Sequence, residues 1–183
     1  MSAPEVRGQR PALHAALAGI VLAAAAAGPA GAAEKQRYDI QGAASICHGA
    51  TSVYAAQLRS RPLALVNEGT KDAFVSCALR GDPRPGGRGA MKVLAEVGAI
   101  SGLTGAVTCT FIDGMQTGTE TDAIYRPKTI LVVGGGRGAA LTWQPVEIAG
   151  NPEHIFRPAV QCKLGPGTAL HYLSVTYDEE IGG

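Results

Sequence analysis

The residues best equipped for chemistry in this 183-residue chain are four cysteines, Cys47, Cys77, Cys109 and Cys162. A thiol can attack a substrate, bind a metal or pair with another thiol. Attack requires a thiolate and a base within reach. His48 adjoins Cys47, but neighbouring residues of an extended segment point to opposite sides. A zinc knuckle requires two cysteines a few positions apart, and no two here come closer than Cys47 and Cys77. Pairing into two disulfides is the reading left, and an even cysteine count in an exported chain favours it.

The other candidate groups do not converge. His48, His154 and His171 show no i, i+4 spacing of a helical metal pair. Gly134-Gly135-Gly136-Arg137-Gly138-Ala139 fits Gly-x-Gly-x-x-Ala after an apolar strand, with Glu153 where a ribose-binding acid would stand. That chemistry needs a helix after the glycines to meet a pyrophosphate. The segment that follows, Ala140-Leu141-Thr142-Trp143-Gln144-Pro145, reads as a short strand, so a tight hairpin loop explains the glycines better. No Gly-x-Ser-x-Gly elbow is present. No pair of acids is singled out for glycosidase work. Asp178-Glu179-Glu180 has no ordered calcium loop around it and reads as a solvated chain end. The Arg84-Pro85 loop reads as a Gly/Pro-rich loop tip rather than a protease bait. The sequence therefore assigns no catalytic residue, no cofactor and no metal.

The compartment is legible at the N-terminus. Arg7 and Arg10 precede residues 15–28, a run of fourteen residues without charge, and Pro29 breaks it. Ala30-Gly31-Ala32 and Gly31-Ala32-Ala33 both fit a small-x-small cleavage rule. The apolar run is shorter than the roughly 20 residues of a spanning helix. Residues 1–33 are thus expected to be a cleaved signal peptide, and residues 34–183 one secreted domain, periplasmic or extracellular. Cleavage after Ala33 lowers Lys+Arg from 16 to 14 and Asp+Glu from 15 to 14, leaving no net charge. A neutral chain without basic runs has no electrostatic footprint for nucleic acid. No later apolar stretch is long enough for a transmembrane segment.

The elements that must carry these residues are short strands. Val75-Ser76-Cys77-Ala78-Leu79, Val107-Thr108-Cys109-Thr110-Phe111 and Val160-Gln161-Cys162-Lys163-Leu164 share an apolar-x-Cys-x-apolar pattern. In a strand this turns each cysteine inward with its apolar flanks. Further strands are expected over residues 34–40, 63–66, 91–100, 123–133, 141–143 and 170–177. Helix is confined to a turn or two in residues 43–58. Asp113-Gly114 is expected to end one strand, residues 116–122 to form a polar loop, and Pro127 to mark an edge or a bend. On the final strand Leu173, Val175 and Tyr177 face one way, Tyr172, Ser174 and Thr176 the other. About eight such strands with frequent turns predict an all-β fold, a disulfide-bonded β-sandwich or related barrel.

The three cysteine strands, Asn67-Glu68-Gly69 before the first, Cys162-Lys163-Leu164-Gly165-Pro166 after the third, and a last strand ending Tyr177-Asp178-Glu179 resemble small secreted bacterial proteins of unknown function. The resemblance implies location and architecture, and no activity. Four cysteines allow three pairings. Cys47–Cys77 with Cys109–Cys162 is favoured, because the first joins segments near in sequence and the second ties two inward-facing strands. Both are expected to hold the two sheets together. Function is read as a non-enzymatic binding or structural role, with an unknown macromolecule or cell-envelope component as partner. A carbohydrate or small-ligand module is the alternative, and a hydrolase the third reading. Exposed aromatics around a groove would favour the second; a buried Trp143, expected from its alternation with Leu141, would count against it.

Overall fold

The computed structural model describes residues 33–80, 89–117, 120–148 and 155–181. The expected signal peptide, the loop holding Arg84 and Pro85, Glu153 and His154 lie outside the described residues, apart from Ala33. The strands are β1 (Ala33–Gly42), β2 (Cys47–Gly49), β3 (Leu58–Arg61), β4 (Ala64–Asn67), β5 (Ala73–Ala78), β6 (Lys92–Ala99), β7 (Thr104–Thr117), β8 (Glu120–Val133), β9 (Ala139–Trp143), β10 (Pro158–Leu164) and β11 (Thr168–Ile181). Two single helical turns, α1 (Ala43–Ile46) and α2 (Ser52–Ala55), flank β2, and a 3-10 turn spans Pro145–Glu147.

All pairings between strands are antiparallel, and they form two sheets. The first runs β3-β4-β11-β6-β9, with β1 paired to the outer part of β11. The second runs β2-β5-β10-β7-β8. The chain is an all-β sandwich, as its patterning predicts. Its inner faces follow the twofold alternation of each strand. Val93, Ala95, Val97, Leu170, Leu173, Val175, Leu141 and Trp143 come from the first sheet, and all are buried. Val75, Cys77, Val107, Cys109, Phe111, Val160, Cys162 and Leu164 meet them from the second. Phe111 and Trp143 stack across the interface at 5.9 Å. The indole N–H of Trp143 donates to the Arg126 carbonyl at 2.9 Å, which satisfies the polar end of a fully buried ring.

Cys47 is bonded to Cys77 and Cys109 to Cys162, the pairs favoured above. Neither bridge joins the sheets, contrary to the expectation. Cys47 stands opposite Cys77 on β2 and β5, and Cys109 opposite Cys162 on β7 and β10. Both bonds therefore lie within the second sheet, on its inner face. The reason is strand order: β2 neighbours β5 and β7 neighbours β10 within the same sheet. Directly opposed strand residues are already close, here 4.2 and 4.0 Å between Cα atoms. Apolar packing, not covalent bonding, holds one sheet on the other.

Several expectations about strands are corrected. The residues after Leu58 form an unforeseen strand, β3, which turns at Pro62 into β4. Asp113-Gly114 does not end its strand. Gly114 takes φ +135° inside β7, where a Cβ would collide with the Asp122 backbone, so only glycine fits and the strand continues. Most of the expected loop at 116–122 is instead the end of the long β7–β8 hairpin. Asp113 accepts from the backbone N–H groups of Phe156 and Arg157, fixing the entry to β10. Residues 134–138 connect β8 of one sheet to β9 of the other, so they are not a hairpin loop. Asp178 and Glu179 are not a chain end in solvent: they stand in β11 opposite β1, and Glu179 pairs with Arg37 at 2.5 Å.

β8 is the outer strand of the second sheet, and an unpaired edge invites association with other chains. Pro127 sits on it opposite Thr110, where a missing N–H is tolerated. Arg126 and Lys128 lie on the same face as Phe111 and Cys109, turned toward the sandwich. Lys128 donates to the Thr142 carbonyl at 2.5 Å and lies 5.8 Å from the Trp143 ring centre. These charges close the gap between β8 and β9.

The bridges close loops with sequence separations of 30 and 53. Loop-closure entropy values each at about 3.5–4 kcal/mol. Replacing Cys109 and Cys162 together with alanine should lower the urea unfolding free energy by about 2–4 kcal/mol. The sheet-on-sheet near-UV signal of Trp143 should survive, because that bond does not cross the interface. Loss of the signal in a variant that remains β-structured would contradict this placement.

Candidate functional site

The outer face of the first sheet carries a candidate site. β11 is its centre, flanked by β1 on one side and β6 on the other. Register sets three rows of outward side chains: Tyr38, Thr176 and Lys92; Ile40, Ser174, Leu94 and Thr142; and Gly42, Tyr172, Glu96 and Ala140. The middle of the first two rows is small. Ser174 and Thr176 are only 8% and 3% exposed, whereas Tyr38 and Ile40 beside them are 61% and 67% exposed. Short side chains on the central strand between longer ones on its neighbours make a trough along β11.

A cleft opens at each end. One, of about 410 Å³, is lined by Gln36, Lys92, Gln144, Pro145, Val146 and Thr176, together with Met91. Thr176 lines its floor, and its hydroxyl oxygen, shut off from solvent, has no hydrogen-bond partner among the described residues. An unpaired buried hydroxyl costs about 1–3 kcal/mol. The 3-10 turn forms the wall of this cleft, and Glu147 pins it. Its carboxylate accepts from the Gln144 N–H at 2.8 Å and pairs with Lys128 at 2.5 Å. Burial pushes the Glu147 pKa up. The Lys128 hydrogen bond, the Gln144 N–H and the Lys128 charge outweigh it and hold the pKa below its ordinary value.

The other cleft, of about 420 Å³, is lined by Ile40, Pro62, Leu63, Glu96, His171 and Tyr172, with Gly42 and Gly138. It owes two of these groups to an irregularity. The β11–β6 register shifts between Leu170 and Tyr172. Leu170 and Leu173 both point into the core, so His171 and Tyr172 are both delivered to the cleft. A bulge re-aims side chains in this way. Two glycines leave room for the polar groups: a Cβ at Gly98 would overlap the His171 ring, and one at Gly138 the Glu96 carboxylate.

Few of the residues considered from sequence belong to this site. The four cysteines lie on the opposite side of the sandwich core. His48 is exposed on the outer face of the second sheet, opposite Ser76. His171 alone among the described histidines lines a cleft of the trough. Trp143 is fully buried, which removes it from any sugar-stacking platform. Among the described residues no three His, Cys, Asp or Glu side chains could hold a metal ion together. Tyr38, Glu96 and Thr176 were not singled out from sequence. The one available signal was the alternation of β11, which sets Tyr172, Ser174 and Thr176 on the face away from the core.

No protein-family model and no curated protein matches the chain. Among solved structures it is similar to a family 11 carbohydrate-binding module from Clostridium thermocellum in complex with a β-1,3-1,4-mixed-linked tetrasaccharide. That match has 8% identity and a TM-score of 0.37, and covers 86% of this chain and 92% of that one. It is similar to TmCBM61 in complex with β-1,4-galactotriose at 7% identity and a TM-score of 0.35, over 78% and 88% of the two chains. A third, the Agl-KA catalytic domain, has 11% identity and a TM-score of 0.31, with 83% of this chain covering 26% of that one. These superpositions are too loose for any functional residue to be carried across.

The depressed pKa of Glu147 gives the cleft wall a pH signature. Its stabilising contribution is present above the unfolded carboxylate value, near 4.5, and is lost as pH falls through the lower folded value. The pair is partly exposed, so Glu147→Gln should cost only about 0.5–1 kcal/mol at pH 7. In thermal melts the gap between variant and parent should close below about pH 4. A gap that widens on acidification would contradict the assignment.

Proposed function

We propose that this protein is an exported, non-enzymatic β-sandwich that binds an extended partner of the cell envelope or its surroundings along the trough of β11. The single observation that carries the reading is the run of exposed apolar side chains along the trough and its second cleft, Tyr38, Ile40 and Leu63. Large apolar groups held away from the core leave water only when a partner covers them, and such a patch marks a contact surface. The two disulfides support export, since such bonds persist in oxidising compartments, and residues 1–33 have the layout of a signal peptide. Among the described residues the two clefts hold one carboxylate between them, Glu96. Glycosidase chemistry needs two facing each other across a bond, so binding is the better-supported role.

A pull-down of the exported protein from envelope extract and culture medium tests this. Tyr38→Glu changes an exposed side chain beside the trough, and His48→Glu changes the far face. Tyr38→Glu should abolish retention of the partner, and His48→Glu should leave it intact. The opposite pattern would place the binding surface on the second sheet and defeat the reading.

A further inference from the structure

We infer that the loop tips at one end of the sandwich dip into a lipid surface, a second contact independent of the trough. Three turns meet at that end: residues 100–103 between β6 and β7, 134–138 between β8 and β9, and 165–167 between β10 and β11. They interlock. The Ile100 N–H donates to the Gly167 carbonyl at 2.8 Å, and the Gly134 N–H to the Leu103 carbonyl at 2.6 Å. A Cβ on Gly134 would collide with the Ile100 carbonyl, and one on Gly167 with the Leu103 side chain. Ile100 and Leu103 sit in this junction, 42% and 46% exposed, and Val133 and Leu131 run down β8 from it, 59% and 65% exposed. Residues 97–112, 129–136 and 164–170 contain no charged side chain. Large apolar groups gathered in this way mark a contact surface.

Lipid fits this surface better than a protein does. Four aliphatic side chains fall short of the roughly 800 Å² that each partner gives to a stable protein interface. Membrane insertion sets no such minimum, because each buried methylene contributes. The free edge of β8 is also guarded against pairing with another chain by Pro127 and the inward-turned Lys128. Lipid demands that backbone groups be satisfied within the protein, and the tip meets this demand. Besides the bonds above, the Gly167 N–H donates to the Asn67 carbonyl at 2.8 Å. The buried Asn67 amide donates to the Leu164 and Lys71 carbonyls, and the Thr168 hydroxyl to the Gly165 carbonyl. Charges stand at the rim. Glu68 and Asp72 are paired with Arg61 and Lys163, which leaves Lys71 and Arg137 exposed, where their stems can lie against lipid with the charge at the headgroups. Glu96, against Gly138, offsets one of them. Apolar burial, not attraction to anionic lipid, therefore carries the binding.

The experiment is flotation of the exported protein with phosphatidylcholine vesicles, with and without phosphatidylglycerol. The parent should float with both, and phosphatidylglycerol should add no more than about fivefold to its partitioning. Leu131→Glu and Leu103→Glu should each lower partitioning about tenfold or more. Leu63→Glu, which changes an exposed leucine of the trough's second cleft, should leave it unchanged. Leu131→Trp reads insertion directly. Its added indole should be quenched by vesicles with brominated acyl chains, whereas the parent, whose Trp143 is buried, should not be quenched. Failure of the parent to float with either vesicle overturns the inference. Flotation that requires phosphatidylglycerol and is untouched by Leu131→Glu shows adsorption by charge and overturns insertion. Flotation lost in Leu63→Glu but kept in Leu131→Glu moves the lipid contact to the trough and overturns the tip. A dimer in the parent that Leu131→Glu dissolves, without flotation, gives the patch to a second copy of the chain and overturns lipid as its occupant.

Discussion

The pleat of β11 ties the core to the surface. Because side chains alternate across a strand, burying Leu173 and Val175 against the second sheet obliges Ser174 and Thr176 to face outward. Slipping the strand by one residue would exchange the two sets and put hydroxyls into the core. The register with β6 and β1 then decides which side chains flank them, and Tyr38, Ile40, Lys92 and Leu94 follow from it. The shift between Leu170 and Tyr172 is the one departure. It keeps leucines inward on both sides of the irregularity and turns His171 and Tyr172 out together.

The disulfides belong to a different part of the design. Both lie in the second sheet, between residues that face each other on adjacent strands. They fix β2 to β5 and β10 to β7, and so stiffen the surface on which the first sheet packs. The interface between the sheets depends on Phe111, Trp143 and the branched aliphatic residues around them. At the open side of that interface, Lys128 reaches from β8 to the Thr142 carbonyl and to Glu147. Glu147 in turn holds the turn that walls one cleft, so the closure of the sandwich and the shape of the trough share a residue.

Much of the architecture was legible in the sequence because alternation reports burial directly. The three cysteine strands, the inward Trp143 and the two faces of β11 could be read from spacing alone. What could not be read was whatever depends on partners distant in the chain. Opposed cysteines require strand order, and the spacing of Cys109 and Cys162 does not reveal that β7 and β10 are neighbours. Asp113-Gly114 looks like a turn, and only the approach of the Asp122 backbone shows why glycine is needed within a strand. The trough is further from view, since it joins residues of β1, β6, β11 and the turn after β9. Thr176 is an ordinary strand residue until Gln36, Lys92 and Gln144 are placed around it.

The central claim is that the outer face of the first sheet, not that of the second, receives the ligand. The second sheet provides an internal control in the row His48, Ser76, Gln161, Thr110 and Pro127. Nuclear magnetic resonance of the exported protein, titrated with whichever polymer it retains, reads both faces at once. Shifts should concentrate at Tyr38, Tyr172, Ser174 and Thr176, with the control row unmoved. Shifts gathered on the control row, with β11 silent, would contradict the account.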